Sequence, residues 1–560
     1  MNIEKQLQII FTEAFSAAGY ELDGDVHIEK PKFAEHGDFS CTSALAYAKK
    51  NGMNPHDVAQ KVIDVCDRKM FELVSVDGPG FINVTLKKEV WSEFLNSFDS
   101  QKVEATQLLA GKTILLEHSS LNLFKPFSIG HVVNNSLGVA LRNIMRFAGS
   151  EVTEVSFPSD VSPGVAKGVW AVIKNDWQNK MDINTIGEAY RLGVVAYKED
   201  EVAKTEIDQI NKELYGQTEG EALEVYKKAR EVSMEYFEAI LSRLDTHHDT
   251  HLFESLAAPV GTKLVTENTP DIFTESDGAV IFEGSKHGLF DNVFVNSAGF
   301  ATYLAKDLGL IQLKLEKYPD SDSYITIADV EQKQHFELVK KAAEFVFPQE
   351  IEKIEYVQHG RLSLPTGRIS SRDGGVPMAE ELLATLNEET KKKSIEAGKE
   401  ISDKDAESIA LGAMRFALLR ASASKNVVFD VDSSLSFEGD SGPYIQYTHV
   451  RAQSVLNKVD NQKGNGGESQ TEFMNDVPEV VHILERFNES VANAVEFYAP
   501  HHIAQYLLEL AQSFNSFYGN TKILDESNAD YVANIMIVSK VAQTLETGLS
   551  MLGMQTVEKM

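Results

Sequence analysis

Two segments of this 560-residue chain carry side chains suited to a phosphate-bearing substrate. The first runs Glu117-His118-Ser119-Ser120-Leu121-Asn122-Leu123-Phe124-Lys125-Pro126-Phe127-Ser128-Ile129-Gly130-His131. Its apolar lead-in, Ile114-Leu115-Leu116, reads as a strand, and the residues after Gly130 follow a helical pattern. The loop between them then falls at the carboxyl edge of a sheet, where α/β folds bind ligands. Gly130 lets a nucleoside approach the backbone, the helix start offers unpaired N–H groups to phosphate, and His131 can donate to phosphate oxygens. Alone, the segment reads more readily as an ordinary polar loop. The second segment runs from Thr366 to Pro377 and sets the hydroxyls of Ser370 and Ser371 and the guanidiniums of Arg368 and Arg372 among glycines. Such a loop can close on a polyphosphate, because Arg supplies forked donors and Ser short ones. Alone, it is equally a flexible hinge.

The elements that must position these groups follow from periodicity. Residues 1–105 combine an amphipathic helix (Ile3, Leu7, Ile10, Phe11, Phe15), a second helix near Pro55–Val65, and two strands, Leu73–Val76 and Phe81–Val84, joined by Asp77-Gly78-Pro79-Gly80. This predicts a small α+β domain. Residues 106–385 predict a Rossmann-like parallel sheet, with strands at Ile114–Leu116, Val152–Phe157, Ala279–Phe282 and Tyr324–Ile327 and a charge-rich helical insertion near 175–245. Residues 386–560 recur at helical spacing through Ile409, Met414, Leu418 and later Ile503, Leu507, Leu510, Phe514 and Phe517, which predicts an all-helical domain. The run Glu388–Glu407 reads as a solvated helical connector and Asn461–Ser469 as a loose stretch.

Composition bounds the function classes. The chain has 84 acidic and 53 basic residues, a formal charge of −31, yet its 43% hydrophobic and 24% charged residues are those of folded domains. No apolar run approaches the roughly 20 residues of a membrane span. The charged first residues read as a helix rather than an export signal, and two cysteines, Cys41 and Cys66, make neither a disulfide framework nor a zinc site, so a cytoplasmic setting is expected. His247, His248 and His251 with Asp245 and Asp249 offer metal-ligand types, with two histidines at helical i,i+4 spacing. They lack the glutamate of a metalloprotease and read as solvated surface residues; no metal site is expected. Acidity at first speaks against nucleic acid, although net charge does not describe its distribution.

In their order and separation the two loops resemble the signature pair of class I aminoacyl-tRNA synthetases. Further residues narrow the resemblance to the arginyl-tRNA synthetase family over nearly the whole chain: Glu35-His36-Gly37-Asp38-Phe39 and Gly78-Pro79-Gly80-Phe81 in the first domain, and Ser119-Ser120, Asn122 and Lys125-Pro126 at the entrance. Downstream, Tyr303 with Lys306-Asp307, Asp329 with Gln332 and His335-Phe336, and Phe437–Tyr447 complete it. The resemblance implies ATP-dependent activation of L-arginine, with Mg²⁺ accompanying ATP, and transfer to the 3′ adenosine of tRNA(Arg).

By the same resemblance Glu117, Asp307 and Tyr303 hold the substrate's side chain, and Asn122 and Gln332 its amino and carboxyl ends. His131, Lys125 and Ser128 form the catalytic group, and ATP meets Ser128, Gly130, His131, Arg368, Ser370, Ser371 and Arg372. Tyr518 and Met560 meet the anticodon loop, and the first domain meets the tRNA elbow. A monomer is expected. The family carries histidine where this chain has Ser128. That departure predicts slower activation, and it frames the alternative of a catalytically impaired paralogue that only binds tRNA.

Overall fold

In a computed structural model the described residues are 2–31, 33–365, 378–396, 398–462, 471–558 and 560. They form two compact units, residues 1–105 with 445–490 and 506–548, and residues 106–444 with 491–505 and 549–560. Among them no helix is long and apolar enough to cross a membrane.

In the first unit the Ile3–Ala17 helix buries Ile3, Leu7, Phe11 and Phe15, the stripe read from the sequence. The strands Phe71–Asp77 and Phe81–Leu86 pair antiparallel, and Phe39–Cys41 and Ile28–Glu29 extend the sheet beyond the second of them. The same unit holds most of the C-terminal helices. Lys30 meets Glu485 at 2.8 Å, and the rings of Trp91 and His482 lie 4.2 Å apart, tilted by 48°.

The second unit is built on five parallel strands in the order Ile354–His359, Ser323–Asp329, Thr113–Glu117, Glu151–Ser156 and Thr250–His251. From the central Thr113–Glu117 strand the chain builds outward on one side, then returns to build on the other. The order therefore reverses between Thr113–Glu117 and Ser323–Asp329, where a crevice opens at the strands' carboxyl ends. Ala279–Phe282 is not in this sheet, contrary to the sequence expectation. Asp277 and Gly278, both at positive φ (49° and 78°), turn the chain tightly after Thr274–Ser276, and Ala279–Phe282 pairs antiparallel with Thr274–Ser276 on one side and Asn292–Val295 on the other in a separate small sheet.

The insertion is helical, comprising Ile183–Glu199, Glu201–Tyr215 and Glu221–Arg243, and Asp182 and Asp200 cap the first two through their side chains. Helices Glu254–Glu267 and Tyr303–Lys317 cross at backbone contact. A Cβ on Gly261 would lie 1.8 Å from the Ala305 carbonyl oxygen, and one on Gly309 would lie 2.1 Å from that of Ala257. This crossing fixes the height at which Tyr303 and Asp307 enter the crevice.

A domain boundary at 386 falls inside the continuous helix Ala379–Glu396, and the second compact unit runs on to residue 444. Helix Asp403–Leu419 carries Arg415, which is fully buried and donates to the carbonyls of Leu244, at 2.5 Å, and Gly553. Burial pushes this guanidinium down to about 10. Asn461 and Gln462 continue the Gly442–Gln462 helix, whereas 463–469 of the expected loose stretch lie outside the described residues.

Candidate active site

The crevice is a cleft of about 700 Å³. Glu117, Asn122, Ser128, Gly130, His131, Tyr303, Asp307 and Gln332, expected from the sequence, all line it. Lys125 is not among its lining residues; its ammonium sits 4.3 Å over the ring of Tyr190. Residues Arg368, Ser370, Ser371 and Arg372 lie outside the described residues.

One wall is the start of the Ile129–Phe147 helix. Ser128 is its extended N-cap (φ −88°, ψ 163°), and its backbone N–H donates to Nδ1 of His131 at 3.2 Å. With Nδ1 accepting, the neutral ring carries its proton on Nε2. Burial, then the charges of Lys125 and His359, push His131 down to about 4, so the ring is neutral at pH 7. Three residues on along the same helix, Asn134 accepts the N–H of Ser119 at 2.6 Å and donates to the carbonyl of Ile327 at 2.9 Å, tying the loop to the neighbouring strand.

The loop is anchored from below. His118, fully buried, bonds Ser119 Oγ and Glu154 at 3.0 Å each, and Glu154 also receives Arg142 and Arg146 at 3.2 Å. A Cβ on Gly138 would lie 2.3 Å from the His118 ring, so only glycine admits the helix this close. Ser119 (φ 52°) and Phe124 (φ 67°) hold left-handed backbone, a strain of roughly 1–3 kcal/mol each that the surrounding packing must impose.

The floor is anionic. Glu117 is buried and accepts from Ser120 at 3.0 Å on one oxygen, and from Lys314 and Thr326 on the other, the latter at 3.1 Å. Asp307 pairs through one oxygen with His335. Burial raises the Asp307 carboxyl, which His335 opposes and the charge of Glu117 reinforces. Burial, followed by the charges of Asp307 and Glu117, also raises the Tyr356 hydroxyl beside them. A carboxylate has about four acceptor sites, so Glu117 retains one and Asp307 three. Forked recognition of a planar cation thus falls to Asp307, while Glu117 can take a single N–H. Tyr303 is 59% exposed and overhangs the cleft, with the Lys306 ammonium 5.1 Å from its ring. Gln332 caps the short turn after the Ser323–Asp329 strand, accepting the Asp329 N–H at 3.4 Å.

Sequence reasoning missed Lys314, Asn134 and His359 as lining residues. His359 ends a parallel strand, a position that strand-end reasoning flags. Lys314 lies seven residues after Asp307 on one helix face.

The histidine cluster is corrected. Residues 245–251 leave the helix and enter the Thr250–His251 strand rather than forming helical spacing. Only His247 is open: His248 packs 5.0 Å from the His118 ring, and His251 is held by Ser156 at 2.7 Å and Glu238 at 2.8 Å. Among the described residues no group of three metal-ligating side chains gathers. Of the two residues expected at the anticodon loop, Tyr518 is 39% exposed with Arg451 5.1 Å over its ring, whereas Met560 is buried and its carbonyl receives Lys399.

Comparison with known proteins adds a second line. Three family models match: "Arginyl tRNA synthetase N terminal domain" over residues 5–86, "tRNA synthetases class I (R), catalytic domain" over 95–431, and "DALR anticodon binding domain" over 445–560. The chain is 29% identical over 545 residues to the arginine–tRNA ligase of Halothermothrix orenii, with 95% of each covered. It is 29% identical over 577 residues to that of Exiguobacterium sibiricum, with all of each covered. It superimposes on the arginyl-tRNA synthetase of Thermus thermophilus with a TM-score of 0.81 at 25% identity, covering both chains fully.

Proposed function

The chain belongs to the class I arginyl-tRNA synthetases, and from that premise we propose the following roles for its cleft in charging tRNA(Arg) with L-arginine. The observation that carries them is the division of the cleft: two carboxylates, Glu117 and Asp307, at its floor, and a helix start with a neutral histidine, Gly130 and His131, at its wall. The floor accepts the guanidinium, with Asp307 taking two N–H groups and Glu117 one. Tyr303 covers the aliphatic stem, and Asn122 and Gln332 hold the amino and carboxyl ends.

ATP, with its Mg²⁺, lies against the helix start. The arginine carboxylate attacks the α-phosphorus, a new P–O bond forms, and the bond to pyrophosphate breaks. Nε2–H of His131 and the backbone N–H groups beside Gly130 donate to the phosphate oxygens as charge builds on them. Lys125 adds positive charge from its place over Tyr190. Arg368, Ser370, Ser371 and Arg372 are proposed to donate to the ATP phosphates. In the second step the 3′ adenosine hydroxyl attacks the activated carbonyl and AMP leaves.

Ser128 motivates no impaired reading here. Its backbone, which any residue supplies, orients His131. Tyr518, backed by Arg451, is the proposed stacking platform for an anticodon base, with Met560 behind the surface. A monomer and a cytoplasmic setting complete the reading. Charging of total tRNA with labelled arginine tests it: arginine-specific, ATP-dependent incorporation is expected, and none would overturn it.

A further inference from the structure

Beside the two floor carboxylates a third, Glu254, also lines the cleft, and two ammoniums, Lys314 and Lys306, pair with Glu117 and Glu254. Glu254 is paired with Lys306 at 2.7 Å, and Lys306 also donates to the Val161 carbonyl at 2.8 Å. Glu117 is paired with Lys314, which donates in turn to Thr326 at 2.9 Å, while Thr326 donates to the same Glu117 oxygen at 3.1 Å. All four charged side chains are 5% exposed or less. Asp307 is left with a histidine. One carboxylate of the cleft is therefore left without an ammonium, the complement of one substrate cation.

We propose that Lys314 is a specificity-determining and positioning residue of the arginine subsite: its ammonium fills the place beside Glu117 that a substrate ammonium would take. The proposal rests on the reading of the cleft given above. The closed triangle of Lys314, Thr326 and Glu117 occupies both acceptor sites of one Glu117 oxygen and fixes the plane of the carboxylate. The other oxygen, held by Ser120, keeps one acceptor site for a substrate N–H. A lysine substrate ends in a compact, strongly hydrated ammonium, which cannot span the free sites of Glu117 and Asp307 together as the wider guanidinium fork does. Lys314 repels either cation beside Glu117, but a guanidinium spreads its charge over three nitrogens and reaches Glu117 with one N–H, whereas a lysine ammonium brings its whole charge to one compact atom. Both groups are buried, so water screens this repulsion little.

Calorimetric affinities of the full chain for L-arginine, L-lysine and ATP test this independently of turnover. Lys314→Met is expected to weaken arginine by at least about tenfold, to leave ATP within about twofold, and to cut the arginine-over-lysine affinity ratio by about thirtyfold. A ratio preserved within about threefold, or equal weakening of arginine and ATP, would overturn it. Where Lys314→Met is insoluble, Thr326→Val removes the hydroxyl of the triangle at nearly constant volume; it is expected to shift the ratio the same way by about threefold, and an unchanged ratio overturns the proposal. A parent that binds arginine selectively but charges no tRNA would overturn the enzymatic reading and leave the assignment of Lys314 standing. One that prefers neither amino acid would overturn both.

Discussion

The backbone N–H of Ser128 points at Nδ1 of His131, 3.2 Å away. This bond decides which nitrogen of the ring carries the proton toward the cleft. Ser128 Oγ also approaches Nδ1, at 3.4 Å, so the main chain supplies the closer contact and the side chain at 128 is secondary. Ser128→Ala is expected to slow ATP–pyrophosphate exchange by less than about threefold, whereas His131→Ala is expected to slow it by about 10²–10³, the range for losing one donor to developing phosphate charge. Exchange measured in the presence of tRNA(Arg) separates the two.

The two floor carboxylates are unequal, since Glu117 has one acceptor site to offer and Asp307 three. Asp307→Asn is therefore expected to raise KM for arginine by about a hundredfold and Glu117→Gln by about tenfold. Steady-state kinetics with KM for ATP as the internal reference checks the ranking.

Gly138 faces the His118 ring with no room for a methyl group. Gly138→Ala must move His118 away from Ser119 and Glu154, and with it the strained turn at Ser119. A loss of about 2–4 kcal/mol in stability is expected from overpacking and the broken buried bonds. Urea unfolding measures it, and an unchanged midpoint would contradict the anchoring role given to His118.

Buried histidines make the protein acid-sensitive. Burial, then the charge of Lys125 among others, holds His131 down to about 4; burial and the Lys30 charge hold His482 to about 4; and burial lowers His359 and His449 as well. A histidine depressed below its unfolded value stays neutral in the native state while the unfolded chain takes up a proton. Its stabilisation is fully present above about pH 6.5 and is lost as pH falls toward 4. Between pH 7 and pH 5, His131 and His482 should each remove about 1–2 kcal/mol. Thermal unfolding across this window is expected to show a falling Tm, with His482→Gln flattening the slope.

Affinity for tRNA should fall steeply with salt despite the net charge of −31, because a locally basic strip must displace counterions from the RNA. Tyr518→Ala is expected to weaken binding by about 1–3 kcal/mol with little change in that salt slope, as removal of a stacking platform does. Filter binding at several salt concentrations distinguishes stacking from charge.

What could be read from the sequence follows from locality. Glu117, Ser128, Gly130 and His131 lie in one strand-loop-helix passage, so periodicity alone placed them together. Tyr303, Asp307 and Gln332 come from the far side of the sheet reversal, and only family resemblance brought them to the same cleft. Lys314 was missed because a lysine near the end of a helix reads as solvent-facing charge; its burial comes from facing Glu117 and Thr326 on two strands distant in sequence. The strand Ala279–Phe282 was assigned to the wrong sheet because its apolar pattern is the same in either; the Asp277-Gly278 turn carried the correct signal. The histidine cluster was misread for a similar reason, since spacing does not reveal that the helix has already ended.

Arg415 ties the order of synthesis to the order of assembly. Its guanidinium needs the carbonyl of Gly553, yet residues 445–490 and 506–548, which belong to the other compact unit, are made in between. A nascent chain that has emerged only as far as the Tyr531–Met551 helix holds a buried cation short of one acceptor, in a site where an unmet donor costs about 1–3 kcal/mol. The sheet that carries the cleft can therefore form early, but its unit closes only after the turn at Gly553 has left the ribosome.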